Sequence, residues 1–214
     1  MEHIDSSSIG NERRILLSEL AGKSTIVKKM ARYGQFEKNS DSVKELLEIL
    51  KEKERDGYEY EAAEASFDLI MRRCIGKYKR LFELNNYHLE SYKTGEIDSK
   101  TVGRVFLAHG DKQIMGAGVG IGPIETLDRA IRDALLPFQQ FLEGIHLIDY
   151  RVRVLNPEAA AASKVRVFIT STDHTRTWDT VGVSGNIVEA SWEAIADSFE
   201  YYYNNYVVED GSSA

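Results

Sequence analysis

Two glycine-bearing stretches have residue types that could hold a phosphate or a carboxylate: Gly116-Ala117-Gly118-Val119-Gly120-Ile121-Gly122-Pro123 and Ala21-Gly22-Lys23-Ser24-Thr25. The second fails as a phosphate loop. That motif needs a glycine at position 17, which is Leu17, and a strand before it, where the sequence reads as helix. The first has alternating glycines rather than GxGxxG and opens no strand–helix–strand crossover, so it is no dinucleotide site. It reads as a glycine-rich strand that another backbone or a small ligand approaches closely. Gly122-Pro123 falls where a helix begins, since proline suits the first helical turn. Amides at a helix N-terminus attract an anion, and the carboxylate of an amino acid suits this place.

Other chemistry is sparse. His3, His88, His109, His146 and His174 are scattered with no ligand spacing, so no metal site and no cofactor are expected. No serine, histidine and acid form a nucleophile elbow. Cys74 is the sole cysteine; it lies on an apolar helical stripe, which reads as an inert buried thiol, and disulfides within the chain are excluded. Glu12-Arg13-Arg14 and Lys28-Lys29 are solvated faces. Tyr201-Tyr202-Tyr203 with Tyr206 is either an aromatic rim at a subunit contact or the end of a packed helix.

These residues must be positioned by 214 residues, of which 43% are hydrophobic and 29% charged, enough to build a core. The formal charge of −7 argues against coating a nucleic acid. A closed (β/α)₈ barrel alone takes about 250 residues, so none fits beside a second domain. No apolar run reaches the roughly 20 residues that span a bilayer, and the N-terminus has no secretory h-region, so a cytoplasmic protein away from membranes is expected. Residues 1–76 read as a helical linker subdomain. Ser24 is placed as an N-cap, Gly34 and Gly57 as stops, and Ser42 with Glu45 as a capping box. Ala63, Phe67, Ile70, Met71 and Cys74 line one face of a third helix. Residues 209–214 read as a disordered tail.

From residue 77 to 208 the period changes to two. Arg151-Val152-Arg153-Val154-Leu155 and Lys164-Val165-Arg166-Val167-Phe168-Ile169 alternate as half-buried strands do. This region is an internal repeat. Arg104-Val105-Phe106 matches Arg166-Val167-Phe168, and Val119-Gly120-Ile121 matches Val181-Gly182-Val183, each 62 apart (166 − 104, 181 − 119). Ala130-Ile131 matches Ala194-Ile195 at 64, a change ascribed to two extra residues at Ser184-Gly185-Asn186. The predicted fold class is therefore α+β: a helical linker subdomain followed by a duplicated βββα domain. Duplicated halves bind ligands at their junction or pair with a second copy.

The residues also resemble a known family. Ile9 to Ser24 and Gly57 to Phe67 resemble the linker that follows the catalytic barrel in citramalate synthases. Gly120-Ile121-Gly122-Pro123-Ile124-Glu125-Thr126-Leu127-Asp128 and Trp178 to Trp192 are similar to segments of the regulatory domain shared by citramalate and 2-isopropylmalate synthases. The resemblance implies an acyltransferase family that condenses acetyl-CoA with pyruvate on a route to isoleucine. It implies a C-terminal region that forms a homodimer and binds a branched-chain amino acid, isoleucine first, as feedback inhibitor. The barrel has no counterpart in these residues and would act in cis or in trans, so no catalytic residue is assigned. By position, Gly120, Gly122 and Pro123 face the effector carboxylate, Tyr150 stands near the pocket, and Asn156, Ala160 and Ala162 line its other side. Ile121 stands where the family carries a polar residue, which leaves open a truncated or split dimerisation module that senses nothing.

Overall fold

The computed structural model describes residues 22–37, 40–93, 95, 99–155, 158 and 163–208. Its contacts divide the chain between Asp56 and Gly57. The first unit contains α1 (Gly22–Met30) and α2 (Asp41–Asp56), which pack on each other. Val43, Leu46 and Leu50 are the buried stripe of α2. Ser24 lies inside α1 and not at its cap. Ser42 lies inside α2 in the same way: the helix starts at Asp41, and the Ser40 carbonyl accepts the Lys44 amide. Gly57 ends α2 at φ 109°, a region that favours glycine.

The second unit opens with a short 3₁₀ turn, Tyr60–Ala62, and α3 (Glu64–Cys74). Ala63, Phe67, Ile70 and Met71 are buried as the stripe predicts, whereas Cys74 is half-buried at the end of the helix. Two repeats follow. The first is β1 (Glu83–Tyr92), β2 (Lys100–His109), β3 (Lys112–Gly120) and α4 (Pro123–Leu135). The second is β4 (His146–Val154), β5 (Val165–Thr172), β6 (Thr177–Ser184) and α5 (Ile187–Tyr202). Each sheet is antiparallel with its strands in sequence order, so the fold is the duplicated βββα arrangement of an α+β protein. One apolar cluster joins the halves through Val105, Leu127 and Ile131 of the first and Ile169, Ile195 and Phe199 of the second.

Equivalent contacts fix the register of the duplication. A Cβ on Gly118 would strike the Thr126 carbonyl and approach Arg129; one on Gly182 would strike the Ala190 carbonyl and approach Glu193. All three pairs are 64 apart (182 − 118, 190 − 126, 193 − 129). Gly110 and His174, the positive-φ residues of the β2–β3 and β5–β6 hairpins, stand at the same spacing. The first strands carry matching irregularities after Leu84 and after Leu147, 63 apart (147 − 84). The strand offset is thus 64 and not 62. The connections Ile121-Gly122 and Gly185-Asn186 have equal length, so there is no insertion at Ser184-Gly185-Asn186. A two-residue slip keeps every side chain on its own face, which is why alternation alone misplaced it.

Glycine brings α4 onto β3. A Cβ on Gly116 would lie 2.1 Å from the Ala130 carbonyl oxygen, closer than any packed side chain can stand. This is the close backbone approach expected of the glycine-rich strand.

The two repeats differ in what lies beside their last strands. In the first, the Ala117 amide donates directly to Asp133, 2.9 Å away. In the second, the equivalent Val181 amide donates to Ser66 of α3, and the Ser66 hydroxyl donates to Asp197, 2.7 Å away. Arg166 donates to the Gly57 carbonyl and to Glu59. Helix α3, grouped by sequence with the linker, is therefore packed on the second repeat. The joint is polar: Arg72 bonds Asp68 and Asn205, and Arg73 stands 3.5 Å from Asp197. Burial pushes Asp197 up to about 6 against the pull of Arg73. Burial likewise pushes Glu200 up to about 7, although its carboxylate accepts the Leu81 and Phe82 amides.

Candidate functional site

The duplication creates two equivalent seams, each between the helix of one repeat and the first strand of the other. The seam between α4 and β4 is open. It holds a cavity of about 630 Å³, within the range of small-molecule sites. Ile124, Leu136, Ile145 and Leu147 make its apolar wall. Glu125, Asp128, Arg132, Glu143, His146 and Tyr150 supply polar groups.

Local structure holds these groups in place. Asp128 and Arg132 are one turn apart on α4, with Arg132 Nε 2.9 Å from the Asp128 carboxylate. Arg132 also donates to the Leu142 carbonyl and lies over the Phe199 ring. Tyr150 projects from β4 with its hydroxyl 2.9 Å from Ser191 Oγ on α5. Carboxylates beside a fixed guanidinium and an aliphatic wall can receive an ammonium group, a carboxylate and a branched side chain. Among the described residues, no three His, Cys, Asp or Glu side chains come together to hold a metal ion.

The second seam, between α5 and β1, is closed. Position 64 residues after Asp128 is Trp192, whose ring stacks on Tyr87 (centroids 6.5 Å apart) and meets Phe82 edge-on at 6.0 Å. Tyr87 is the counterpart of Tyr150, 63 residues earlier (150 − 87), and its partner Glu189 is the counterpart of Glu125. Burial first, and then Glu189, raises the Tyr87 pKa.

Of the residues singled out from sequence, Tyr150 lines the open cavity. Gly122 is the N-cap of α4 and Pro123 its first residue, as the glycine–proline pair predicts. Gly120, Gly122 and Pro123 are not among the lining residues; the cavity begins with Ile124 and Glu125, just beyond them. The helix N-terminus already has a carboxylate: Glu125 accepts the Ile121 amide at 2.8 Å and pairs with Arg129. Asn156, Ala160 and Ala162 lie outside the described residues. Sequence reasoning missed Asp128, Arg132 and Glu143. The four-residue spacing of Asp128 and Arg132 on α4 was the available signal. The tyrosines near the C-terminus pack within the chain, with Tyr202 stacked on Phe141 and close to Trp178.

Comparison with known proteins agrees with this architecture. The (R)-citramalate synthase of Aquifex aeolicus is 42% identical over 202 residues, covering 94% of this chain and 38% of that protein. The (R)-citramalate synthase of Geobacter sulfurreducens is 40% identical over 203 residues, with the same coverage. A probable 2-isopropylmalate synthase of Methanosarcina mazei is 25% identical over 195 residues, covering 91% of this chain and 36% of that protein. The chain thus spans under two fifths of the length of these relatives. The family model for the LeuA allosteric (dimerisation) domain matches residues 61–203, from the turn before α3 to the end of α5. With its two βββα repeats and that match, the chain belongs to the LeuA allosteric (dimerisation) domain family, in its citramalate-synthase branch.

Proposed function

We propose that this chain is the regulatory and dimerisation region of a cytoplasmic citramalate-synthase-type enzyme, and that the open α4–β4 seam holds a branched-chain amino acid, isoleucine first, as feedback inhibitor. The observation that carries this is the cavity of about 630 Å³ with an aliphatic wall and the Asp128–Arg132 pair. Arg132 faces the effector carboxylate, Asp128 and Glu143 the ammonium group, and Ile124, Ile145 and Leu147 the side chain. Condensation of acetyl-CoA with pyruvate belongs to a barrel, in cis or in trans. An effector acts on it only through unequal affinity for two conformations. Helix α3, packed on α5, is the element of this unit that would carry the bias toward the linker. Calorimetric titration with isoleucine, leucine and valine tests the reading. Isoleucine is expected to bind one per chain; no heat and no thermal shift at millimolar concentration would sink it.

A second reading, a dimerisation module that senses nothing, draws on one observation. Glu125 fills the place at the α4 N-terminus that an effector carboxylate would take, next to an exposed Ile121. A dimer by sedimentation with no response to any of the three amino acids favours it.

A further inference from the structure

The two sheets carry the same outward-facing positions, and only one set is covered. On the second sheet Phe168 and Val181 are 6% and 0% exposed. There α3 and the turn before it lie on the strands, with Ser66 bound to the Val181 amide and Arg166 bound to Gly57 and Glu59. On the first sheet the corresponding face has Met115 at 53% and Val119 at 49%, beside an exposed Val102 and a half-buried Phe106. Nothing in the second unit plays the part of α3 there, although the face is just as apolar.

We propose that the outer face of the β1–β2–β3 sheet is where two copies of this chain meet, each sheet covering the other as α3 covers the second sheet. This rests on the dimerisation reading above and names its surface. Three observations select a second copy as the occupant. The face is close to neutral and carries both signs: Glu90 lies opposite Val102 and Arg104 opposite His88 on neighbouring strands. A two-fold contact can therefore set the Arg104 of one copy near the Glu90 of the other with no like charges opposed. Strand pairing along β3 is blocked, because Asp133 takes the Ala117 amide, Arg129 the Val119 carbonyl and Glu125 the Ile121 amide. That leaves face-to-face packing as the mode of contact. The family description supplies the third, since it is a dimerisation domain that the match from 61 to 203 identifies.

Sedimentation equilibrium on the whole chain and on three variants tests this. Met115→Glu and Val102→Glu put carboxylates into the proposed contact. Ile148→Glu puts one at an equally exposed apolar position (57%) on β4, off this face. The wild type and Ile148→Glu are expected to be dimers, and the first two variants to dissociate at least 100-fold more readily. Hydrogen exchange on the unaltered chain reads the same face without any mutation. Amides of residues 100–120 are expected to gain protection with rising concentration, and those of 146–155 are not. A dimeric wild type whose Met115→Glu and Val102→Glu variants stay dimeric, without that protection, overturns the face and leaves dimerisation standing. So does dissociation of Ile148→Glu along with the others. A monomeric wild type overturns both.

Discussion

One duplicated unit has produced two seams of opposite character. At the α4–β4 seam the helix presents Asp128, and a cavity remains beside Tyr150. At the α5–β1 seam the same helical position presents Trp192, and its indole lies against Tyr87 and Phe82. The backbones are equivalent, so what distinguishes the seams is the side chain carried at a shared position. A duplicated fold offers two sites and retains one by filling the other with an aromatic ring. The closed seam adds apolar burial to stability, while the open one leaves polar groups in place for a ligand.

Moving residues between equivalent positions tests that account, and the largest effect is expected where helix meets strand. Gly116 corresponds to Thr180, whose hydroxyl donates to the Ala194 carbonyl at 2.7 Å. Gly116→Thr drives a side chain into the Ala130 carbonyl. A loss of about 3 kcal/mol or more is expected in urea unfolding. A loss under 1 kcal/mol would mean that α4 can move off β3 freely.

Exchanging the seam residues comes next. Trp192→Asp removes a half-buried indole, for a cost of about 2 kcal/mol. It also gives the closed seam the residue of the open one, so calorimetry is expected to show a second, weaker isoleucine event. Asp128→Trp is the reverse exchange and is expected to abolish the isoleucine heat while leaving the fold cooperative. An unchanged titration in Asp128→Trp would place the ligand outside this seam.

How legible all this was in the sequence follows from which rule fixed each feature. The duplication, the strand–strand–strand–helix order and the helix start at Gly122-Pro123 rest on periodicity and capping, which are local. The register of the copies was read two residues short along the strands. Alternation has period two, and Arg104-Val105-Phe106 against Arg166-Val167-Phe168 satisfies it as well as the true match does. Only contacts between glycine and the helix backbone break that tie. The same slip hid the pairing of Asp128 with Trp192. Tyr150 was found because its counterpart Tyr87 lies on strands related by the correct 63. Arg132 and Glu143 were missed because their nearness to Tyr150 depends on how one repeat packs on the other.

The acids beneath α3 offer a third comparison. Asp133 on the first repeat is exposed and bonds an amide directly, whereas its counterpart Asp197 is buried and reaches its amide through Ser66. Asp197 is held at about 6 and Glu200 at about 7, both above their ordinary values of 3.8 and 4.5. Groups raised in the folded state favour folding while protonated. Their contribution is complete below about pH 4 and is lost as pH rises through 6 and 7, on the order of 2–3 kcal/mol each at most. Urea midpoints are therefore expected to fall between pH 5 and pH 8 as far as these two acids govern them. The fall is expected to shrink in Asp197→Asn with Glu200→Gln. A double variant that keeps the full fall places the titration elsewhere.

The smallest expected effect is at the hairpin tips. Gly110 and His174 hold equivalent left-handed positions, φ 56° and 70°. Glycine takes that conformation at no steric cost, whereas a side chain spends about 1–2 kcal/mol there. Glycine gives back about 0.5–1 kcal/mol through the freedom of the unfolded chain. His174→Gly also forfeits the ring contact with His146, whose centroid is 4.6 Å away. The balance is a gain of about 0.5 kcal/mol for His174→Gly and a loss of about 1 kcal/mol for Gly110→His. Were His174→Gly destabilised by more than 1 kcal/mol, the paired imidazoles would outweigh the backbone, and the two tips would differ in what they hold rather than in which residue they tolerate.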